Sequence, residues 1–463
     1  MYFVYSVLMG MAALLLLPYW LVQGVRHGKY LSNLRERLGL AYPTLDGLGA
    51  ASGGAIWLHA VSVGEVLSGV PLARQLKERY PGRRLIISTT TLTGHVMARQ
   101  RMPFADAVIY FPLDWDFAVR RAFRAVNPGI VVILETEIWP NFLREAARRG
   151  VPVVFLSGRV SLRSFARFQR WISRAGFLLR PLLRNALAIP AAFLMQTEED
   201  AERIRALGAP AERVRVNGNL KYDQELPQTT PLADWLAKEL NARGRRPVFV
   251  AGSVVAHEEP LALIAFGTAQ GEHSRAFLVL APRKPERFEP AADFIRESHR
   301  KFLRRSELDV AAPGVQAEAD SGAQAVLADD VTVLLLDSIG ELASLYALAD
   351  VVFVGGSLVP SGGHNILEPA AFGKIPVFGP HTENFAEMTG RFIEAGAAIR
   401  AESPEDVGVA WIDLLKNPEK MNEMGAKAKR AADESRGATA RAMGEIERIL
   451  AAEKTAGAGG GLA

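Results

Sequence analysis

The sequence predicts an α/β protein built from two halves, each containing a parallel β-sheet covered by helices on both faces. Short apolar segments alternate with longer amphipathic segments along most of the chain, which is the pattern of βαβ units. Pro227, Pro231, Gly244 and Pro247 interrupt this alternation within residues 222–247, after which it starts again. At 463 residues the chain is also too long for one ordinary domain. We therefore expect two Rossmann-like domains facing a central cleft at the carboxyl ends of their strands.

The alternation also predicts individual elements and domain limits. The first half has candidate strands at residues 56–61, 85–89, 107–111, 130–134, 151–156 and 194–196. The second half has them at residues 248–252, 276–281, 331–336, 351–354 and 375–378. Residues 308–330, rich in Ala, Gly and Asp, are expected to form a loop, and the chain after Pro404 to be helical. The predicted organisation is an anchor at 1–25, a first domain at 26–221, a linker at 222–247, a second domain at 248–454 and a disordered tail at 455–463.

The N-terminal segment is the candidate membrane anchor. Residues 2–25 carry no charged side chain, which is enough length to cross a hydrocarbon core of about 30 Å as a helix, although Pro18 is expected to kink it. Basic residues follow at once, at Arg26, His27, Lys29, Arg35 and Arg37. This charge pattern predicts an uncleaved single-pass or monotopic anchor, with the body of the protein on the cytoplasmic side. A cleaved signal peptide is the alternative, but its basic flank would lie on the other side of the apolar segment.

Composition excludes several kinds of site. The chain has no cysteine, so it has no disulfides, thiolate nucleophiles or cysteine metal ligands. Its eight histidines do not cluster at metal-binding spacings, and no metal or other cofactor is expected. The net charge of +4 is too small to indicate nucleic-acid binding.

A glycine-rich segment of the second half is the strongest candidate for a ligand site. The strand at 351–354 ends in Gly355, Gly356 and Ser357, and a second glycine pair that includes Gly363 leads to His364 and Asn365. A helix is expected to start next, with Asn365 as its N-cap, followed by Ile366, Leu367 and Glu368. Free backbone amides at such a turn favour an anion, and a carboxylate one turn later suits ribose hydroxyls. The pattern predicts a nucleotide-sugar pocket; the alternative is an ordinary strand-to-helix turn.

Charged side chains also follow strands of the first half. Glu65 lies in the first turn of the helix after the first strand, and Glu135 and Glu137 follow the fourth. Lys221 lies at the entrance to the linker. Because the carboxyl ends of parallel strands share one edge, these groups are expected near the cleft. As alternatives, the glutamates would complement helix ends and the lysine would be a solvated linker residue.

In the second half, Pro282 and Arg283 follow a strand, and a guanidinium there suits a phosphate or a carboxylate. Ile339, Gly340 and Glu341 repeat the pattern of strand, glycine and helix start, and Ser253 ends another strand.

One stretch of the first half combines arginines with aromatic residues. Residues 146–197 contain no acidic side chain. Arginines recur there at spacings of three and four, at Arg159, Arg163, Arg167, Arg170 and Arg174. On a helix these side chains share one face, which suits anionic lipid headgroups or a phosphorylated lipid. The alternative is a solvated arginine face beside a core-facing stripe.

The ordered motifs resemble those of the 3-deoxy-D-manno-octulosonic acid (Kdo) transferases of lipid A biosynthesis, glycosyltransferase family 30. The resemblance covers nearly the whole chain, in HAVSVGEV, ISTTTLTG, LETEIWPN, SGRVSLRSF, NGNLKYD, APRKPERF, DSIGELASLYALADVVFVGGS and GGHNILEPAAFGKIPVFGPHTENF. The chain departs from the family pattern at Lys284, where many relatives have histidine, and in the loop at 251–259.

The resemblance implies a GT-B fold and an inverting, metal-independent transfer of Kdo from CMP-Kdo to a lipid A precursor, lipid IVA, at the inner membrane. It implies that Glu65 is the general base and that Glu135 and Lys221 support the transition state. The implied CMP contacts are Pro282, Arg283, Ile339, Gly340, Glu341, Asn365, Ile366, Leu367 and Glu368. Further candidate donor contacts are Ser253, Gly355, Gly356, Ser357, Gly363 and His364. Two alternatives stay open at this point, namely another membrane-associated GT-B enzyme that uses a UDP-sugar and a non-catalytic nucleotide-sugar-binding protein.

Overall fold

The computed structural model describes residues 1–7, 9–11, 15, 33–45, 53–223, 229–310 and 326–459. The chain divides into two units, one formed by Met1–Gln224 with Ser435–Ala463 and the other by Glu225–Glu434. Both contain a seven-stranded, wholly parallel sheet, which confirms the predicted α/β class.

The first unit contains strands β1 to β7, at Ala55–His59, Leu85–Thr89, Ala107–Tyr110, Pro128–Leu134, Val153–Gly158, Ala192–Met195 and Val214–Val216. Helices α1 to α7 lie at Leu34–Arg37, Val63–Arg79, Leu92–Arg101, Asp116–Val126, Pro140–Arg148, Leu162–Leu187 and Glu198–Leu207. The strand order is β3-β2-β1-β4-β5-β6-β7. Every residue of β1 and β2 is buried, because helices cover both faces of the sheet.

The second unit contains strands β8 to β14, at Val248–Val254, Phe277–Pro282, Lys301–Arg304, Val331–Leu335, Val351–Val354, Pro376–Phe378 and Ile399–Arg400. Helices α8 to α15 lie at Pro231–Ala242, Glu259–Gln270, Phe288–Glu297, Leu342–Leu348, Leu367–Ala371, Ala386–Glu394, Pro404–Lys416 and Pro418–Glu434. The strand order is β10-β11-β9-β8-β12-β13-β14. A final helix, α16, spans Ala438–Gly459 and belongs to the first unit.

The domain limits differ from those predicted from the sequence. The segment expected to be a linker contains α8, whose buried residues Leu232 and Leu236 pack in the second unit. The second domain was expected to run to residue 454, but α16 joins the first unit, where Ile446 and Leu450 share a core with Leu76. The helix also continues through residues 455–459, which were expected to be disordered. Its amphipathic pattern does not reveal which of two similar sheets it covers.

The N-terminal anchor prediction, residues 1–25, lies largely outside the described residues. Among the residues that are described, no helix combines the length and the apolar character needed to span a bilayer. The start of the chain lies against the first unit, where the Asn141 side-chain amide donates to the Ser6 hydroxyl at 3.0 Å.

Candidate active site

Glu65 lies in the first turn of helix α2, which directly follows the interior strand β1. Ser62 caps α2, and its hydroxyl accepts from the Glu65 amide at 3.5 Å. The Glu65 carboxylate accepts in return from the Ser62 hydroxyl at 2.9 Å and from the Val61 amide at 2.7 Å. This reciprocal capping arrangement fixes the carboxylate at the carboxyl edge of the sheet. The side chain is only 7% exposed.

Glu135 and Lys221 form an ion pair in the same unit. Glu135 follows β4 with φ of +59°, a strained conformation for a residue with a Cβ atom, and its carboxylate accepts from Lys221 Nζ at 3.2 Å. Lys221 lies in a short 3₁₀ turn that is held in place because the Leu220 amide donates to the Ser157 hydroxyl at 2.9 Å. Both charged groups remain partly exposed, at 34% and 43%.

The three predicted catalytic residues are close enough to interact electrostatically, since the charges of Glu135 and Lys221 both shift the pKa of Glu65. Burial raises the pKa of Glu65, and the negative charge of Glu135 raises that pKa further. The Val61 amide, the Ser62 hydroxyl and the Lys221 ammonium lower it, but burial is the largest effect. A carboxylate with a raised pKa is a stronger base than an ordinary glutamate, which is the property a general base needs.

Glu137 belongs to the same cluster and was not in the predicted catalytic set. Burial raises its pKa to about 7, with smaller contributions from the charges of Glu65 and Glu135. The motif LETE already places two acids after one strand, but the sequence does not show that the second acid is half-buried near Glu65. The first unit thus gathers three carboxyl groups and one ammonium at one edge of its sheet.

Arg283, His364 and Glu368 are close to one another in the second unit. Burial raises the pKa of Glu368, while Asn365 and the positive charge of Arg283 lower it. Burial and the same arginine lower the pKa of His364 to about 4, so this imidazole is neutral at pH 7. Arg283 follows Pro282, the last residue of β9, and is exposed. It forms no ion pair with any residue that the structure describes, which leaves its guanidinium able to bind an anion.

The turn at residues 365–368 differs in detail from the prediction. Helix α12 has only five residues, and its N-cap is Ile366 instead of Asn365. The Asn365 side chain still accepts from the Leu367 amide at 3.1 Å. The side chains of Ile366 and Leu367 are buried, so main-chain atoms are what these two residues can offer a ligand.

The glycine loop after β12 is occupied by a carboxylate of the protein. The amides of Gly356, Ser357 and Leu358 all donate to the Glu258 side chain, at 2.6, 2.9 and 2.9 Å. The sequence predicted these amides as an anion site, and they do bind an anion, but it is a side chain of the same unit. Gly363, with φ of +76°, donates to the Gly356 carbonyl at 2.7 Å.

Other predicted donor residues lie elsewhere on the second sheet. The Glu341 carboxylate pairs with the Arg305 guanidinium at 2.8 and 3.2 Å and accepts from the Ser338 hydroxyl at 2.5 Å. It is 1% exposed and already fully engaged, so its assignment as a CMP contact depends on main-chain atoms. Ile339 is 62% exposed and Gly340 has φ of +96°, while Ser253 has φ of +57° within β8.

The arginine face predicted on a helix is present on α6. Arg159 precedes the helix, and the exposed Arg163, Arg167 and Arg170 lie on it. None of the four pairs with an acidic side chain in the described part of the chain. The Arg174 side chain lies outside the described residues. Phe165 and Phe168 pack against the core on the other face, so α6 is amphipathic with a cationic outer surface.

Within the described residues, no group of three or more His, Asp or Glu side chains is arranged to hold a metal ion.

Comparisons with known proteins agree with these features. The family model described as 3-Deoxy-D-manno-octulosonic-acid transferase (kdotransferase) matches residues 32–224, and that of glycosyl transferases group 1 matches residues 316–431. The 3-deoxy-D-manno-octulosonic acid transferase of Haemophilus influenzae is 30% identical over 97% of this chain and 98% of its own length. The enzyme of the same name from Bordetella pertussis is 33% identical over 85% of this chain and 86% of its own.

Several solved structures have a similar fold but a low sequence identity to this chain. Anabaena Alr3699/HepE in complex with UDP and glucose has a TM-score of 0.55 at 12% identity and covers 86% of this chain and 100% of its own. The UDP-GlcNAc 2-epimerase of Neisseria meningitidis has a TM-score of 0.50 at 13% identity and covers 82% and 97%. These neighbours confirm the predicted GT-B fold. With full-length relatives at 30% identity and more, this chain belongs to the 3-deoxy-D-manno-octulosonic acid transferases and is a glycosyltransferase.

Proposed function

We propose that this Kdo transferase moves Kdo from CMP-Kdo to the lipid A precursor lipid IVA at the inner membrane, with inversion and without a metal ion. The proposal rests mainly on Glu65, whose buried carboxylate lies near the Glu135–Lys221 pair. Its orientation is fixed by hydrogen bonds and its pKa is raised, so it is suited to act as a base. The full-length relatives are 3-deoxy-D-manno-octulosonic acid transferases, which supports Kdo as the transferred sugar.

In the proposed reaction Glu65 takes the proton of the acceptor hydroxyl. The hydroxyl oxygen forms a bond to the anomeric carbon of Kdo on the face opposite CMP. The bond from that carbon to the phosphate oxygen breaks, and its electron pair leaves with CMP. One displacement of this kind inverts the anomeric centre. A carboxylate acting as base in this way contributes about 10²–10⁴-fold to the rate.

The positively charged side chains near the site are matched to the negative groups that they can stabilise. CMP-Kdo carries a phosphate and a sugar carboxylate, and negative charge grows on the phosphate as the bond breaks. Arg283 has no acidic partner among the described residues, so its charge is available to the phosphate. Lys221 holds Glu135 in place and offsets the charge of the carboxyl cluster. These cations supply the stabilisation that a metal ion provides in other enzymes, which supports a metal-independent reaction.

The cationic face of α6 is complementary in charge to the lipid acceptor and to an anionic membrane surface. Lipid IVA and anionic headgroups both carry negative charge, and Arg163, Arg167 and Arg170 present positive charge without an acidic partner among the described residues. Anionic lipids attract such residues by about 1 kcal/mol each. We propose that this face holds the protein and its acceptor at the cytoplasmic side of the inner membrane.

Transfer from CMP-Kdo to tetraacylated lipid IVA in anionic vesicles tests the proposal. We expect product by mass spectrometry with a metal chelator present, and inverted anomeric configuration by NMR. Loss of activity on chelation that added metal restores would contradict the metal-independent mechanism, and retained configuration would contradict the single displacement.

A UDP-sugar donor is the second candidate, because structural neighbours at 11–15% identity are UDP complexes or UDP-N-acetylglucosamine 2-epimerases. Thermal-shift measurements with CMP and UDP separate the two. We expect stabilisation by CMP; stabilisation by UDP alone would contradict the proposed donor.

A further inference from the structure

Glu258 stands out in the second unit as a fully buried carboxylate with no role in the proposed chemistry. It lies at the N-terminus of α9 and is 0% exposed. Its carboxylate accepts four backbone hydrogen bonds, from Gly356 at 2.6 Å, Ser357 and Leu358 at 2.9 Å each, and Val255 at 3.2 Å. A carboxylate has about four acceptor positions, so this one is saturated.

The three consecutive amides of residues 356–358 form a concave backbone site of the kind that binds phosphate in other proteins. Gly355 makes this possible, because a Cβ atom there would lie 2.8 Å from the Glu258 carboxylate and 2.7 Å from backbone atoms at residues 253 and 254. The site is therefore built for an anion, and the chain itself supplies the anion.

The occupied loop supports the neighbouring turns. The Gly363 amide donates to the Gly356 carbonyl at 2.7 Å, and the His381 amide donates to the Ser357 carbonyl at 2.9 Å. The Gly379 amide donates to the Ser357 hydroxyl at 2.9 Å. The His364 ring lies against Gly356, where a Cβ atom would be 2.9 Å from Nε2. Glu258 thus fixes the loop that positions the turn leading to Glu368.

We infer that Glu258 is a positioning residue that restricts the donor site to nucleoside monophosphates, because its carboxylate occupies the amide site that a second phosphate would otherwise take. The inference rests on the proposed function of this site. A nucleoside monophosphate needs only Arg283 and the nearby turns for its charge. A nucleoside diphosphate brings a second phosphate that finds the loop amides used and a buried negative charge behind them.

Isothermal titration of the full-length protein with CMP and with CDP tests this. We expect the wild type to bind CMP at least about tenfold more tightly than CDP. In Glu258→Gln the charge is lost and the amide NH₂ faces backbone N–H groups, so the loop amides become available. The preference for CMP should fall by about tenfold in this variant, and Glu258→Asp, which keeps the charge, should retain it.

Glu259→Gln is the matched control. Glu259 is also 0% exposed at the start of α9, but its carboxylate pairs with Arg287 at 2.7 Å and not with the glycine loop. This variant should lose stability and keep the wild-type preference for CMP. Affinities for CMP and CDP that fall together in Glu258→Gln would overturn the inference, since that is the result of a purely structural role.

The wild type alone also decides the question if Glu258→Gln does not fold. Binding of CDP as tight as that of CMP overturns the inference. An absence of CMP binding overturns the proposed function as well, whereas CMP binding with an unchanged preference in the variants overturns only the inference about Glu258.

Discussion

In each unit the first strand leads into a helix that has a glutamate at its N-terminal end, Glu65 in the first turn of α2 after β1 and Glu258 at the N-cap of α9 after β8. Both side chains are buried, at 7% and 0% exposure, and burial is the largest effect that raises the pKa of each. Their surroundings differ. The Glu258 carboxylate accepts four backbone amides, whereas the Glu65 carboxylate accepts one amide and one hydroxyl.

The difference separates a structural carboxylate from one available for chemistry. A carboxylate with all acceptor positions occupied has no lone pair for a substrate proton. Glu65 keeps part of its acceptor capacity, and Glu135, Glu137 and Lys221 lie around it. In the second unit the saturated carboxylate has only backbone amides as partners among the described residues, and Arg283 is exposed without an ion pair there. The same fold therefore has a carboxylate with free acceptor positions in one unit and a saturated carboxylate together with an exposed arginine in the other.

Substitution of Glu65 is the most direct test of the difference between these two carboxylates. Glu65→Gln keeps an acceptor for the Val61 amide but cannot take a proton, so kcat for transfer should fall by about 10²–10⁴-fold. If Glu65 only caps α2, the change should cost about 0.3–1 kcal/mol of stability and leave turnover nearly intact. Activity, melting temperature and CMP affinity measured on the same preparation decide between these, because CMP affinity should not change.

The strands that were not predicted from the sequence share one feature, their position at the edges of the sheets. All eleven predicted strands are present, but β7, β10 and β14 were missed, and each is an edge strand. An edge strand has one neighbour and needs less apolar surface, as in the sequence Lys-Phe-Leu-Arg of β10. Interior strands such as β1 and β12 are buried along their whole length and are almost entirely apolar, which makes them recognisable in the sequence.

The site shows a similar limit. Motifs at strand ends predicted Glu65, Glu135 and Lys221, because parallel strands bring their carboxyl ends to one edge. They did not predict that Glu258 fills the glycine loop, since that contact joins residues 98 to 100 positions apart. Nor did they reveal that Gly252 is required by the Tyr346 hydroxyl, which would lie 2.0 Å from a Cβ atom there.

The cationic face of α6 tests whether the first unit takes the acceptor. Replacing Arg163, Arg167 and Arg170 by Glu should raise the apparent KM for lipid IVA in anionic vesicles by about 100-fold or more, because each arginine near the surface contributes about 1 kcal/mol. CMP affinity should remain unchanged. The triple substitution by Lys keeps the charge and serves as the control. Equal losses in acceptor use and CMP affinity would indicate a folding defect instead.

Substitution of Arg283 tests the proposed binding of the donor phosphate by the second unit. Arg283→Ala should weaken CMP binding by about 1.5–3 kcal/mol, since the donor phosphate loses a charge-assisted partner. Lys284→Ala, which removes an adjacent exposed charge, is the matched control and should have a smaller effect. Titration calorimetry measures both. Unchanged affinity in Arg283→Ala would remove this residue from the donor site.

Glu137 tests the carboxyl cluster through stability instead of activity. Burial raises the pKa of Glu137 from 4.5 to about 7 in the folded protein, so the folded state holds this proton more tightly than the unfolded state. Between these pH values the folded state binds more protons, and the free energy of unfolding therefore falls as pH rises. Glu137→Gln removes this contribution. Relative to the wild type, its melting temperature should rise from pH 4.5 to about 7 and then stay level. Glu212→Gln, at an exposed glutamate of the same unit, controls for the loss of one charge. A difference between Glu137→Gln and wild type that does not vary with pH would mean that Glu137 titrates like a solvated residue, and the three carboxyl groups would then not act as one cluster.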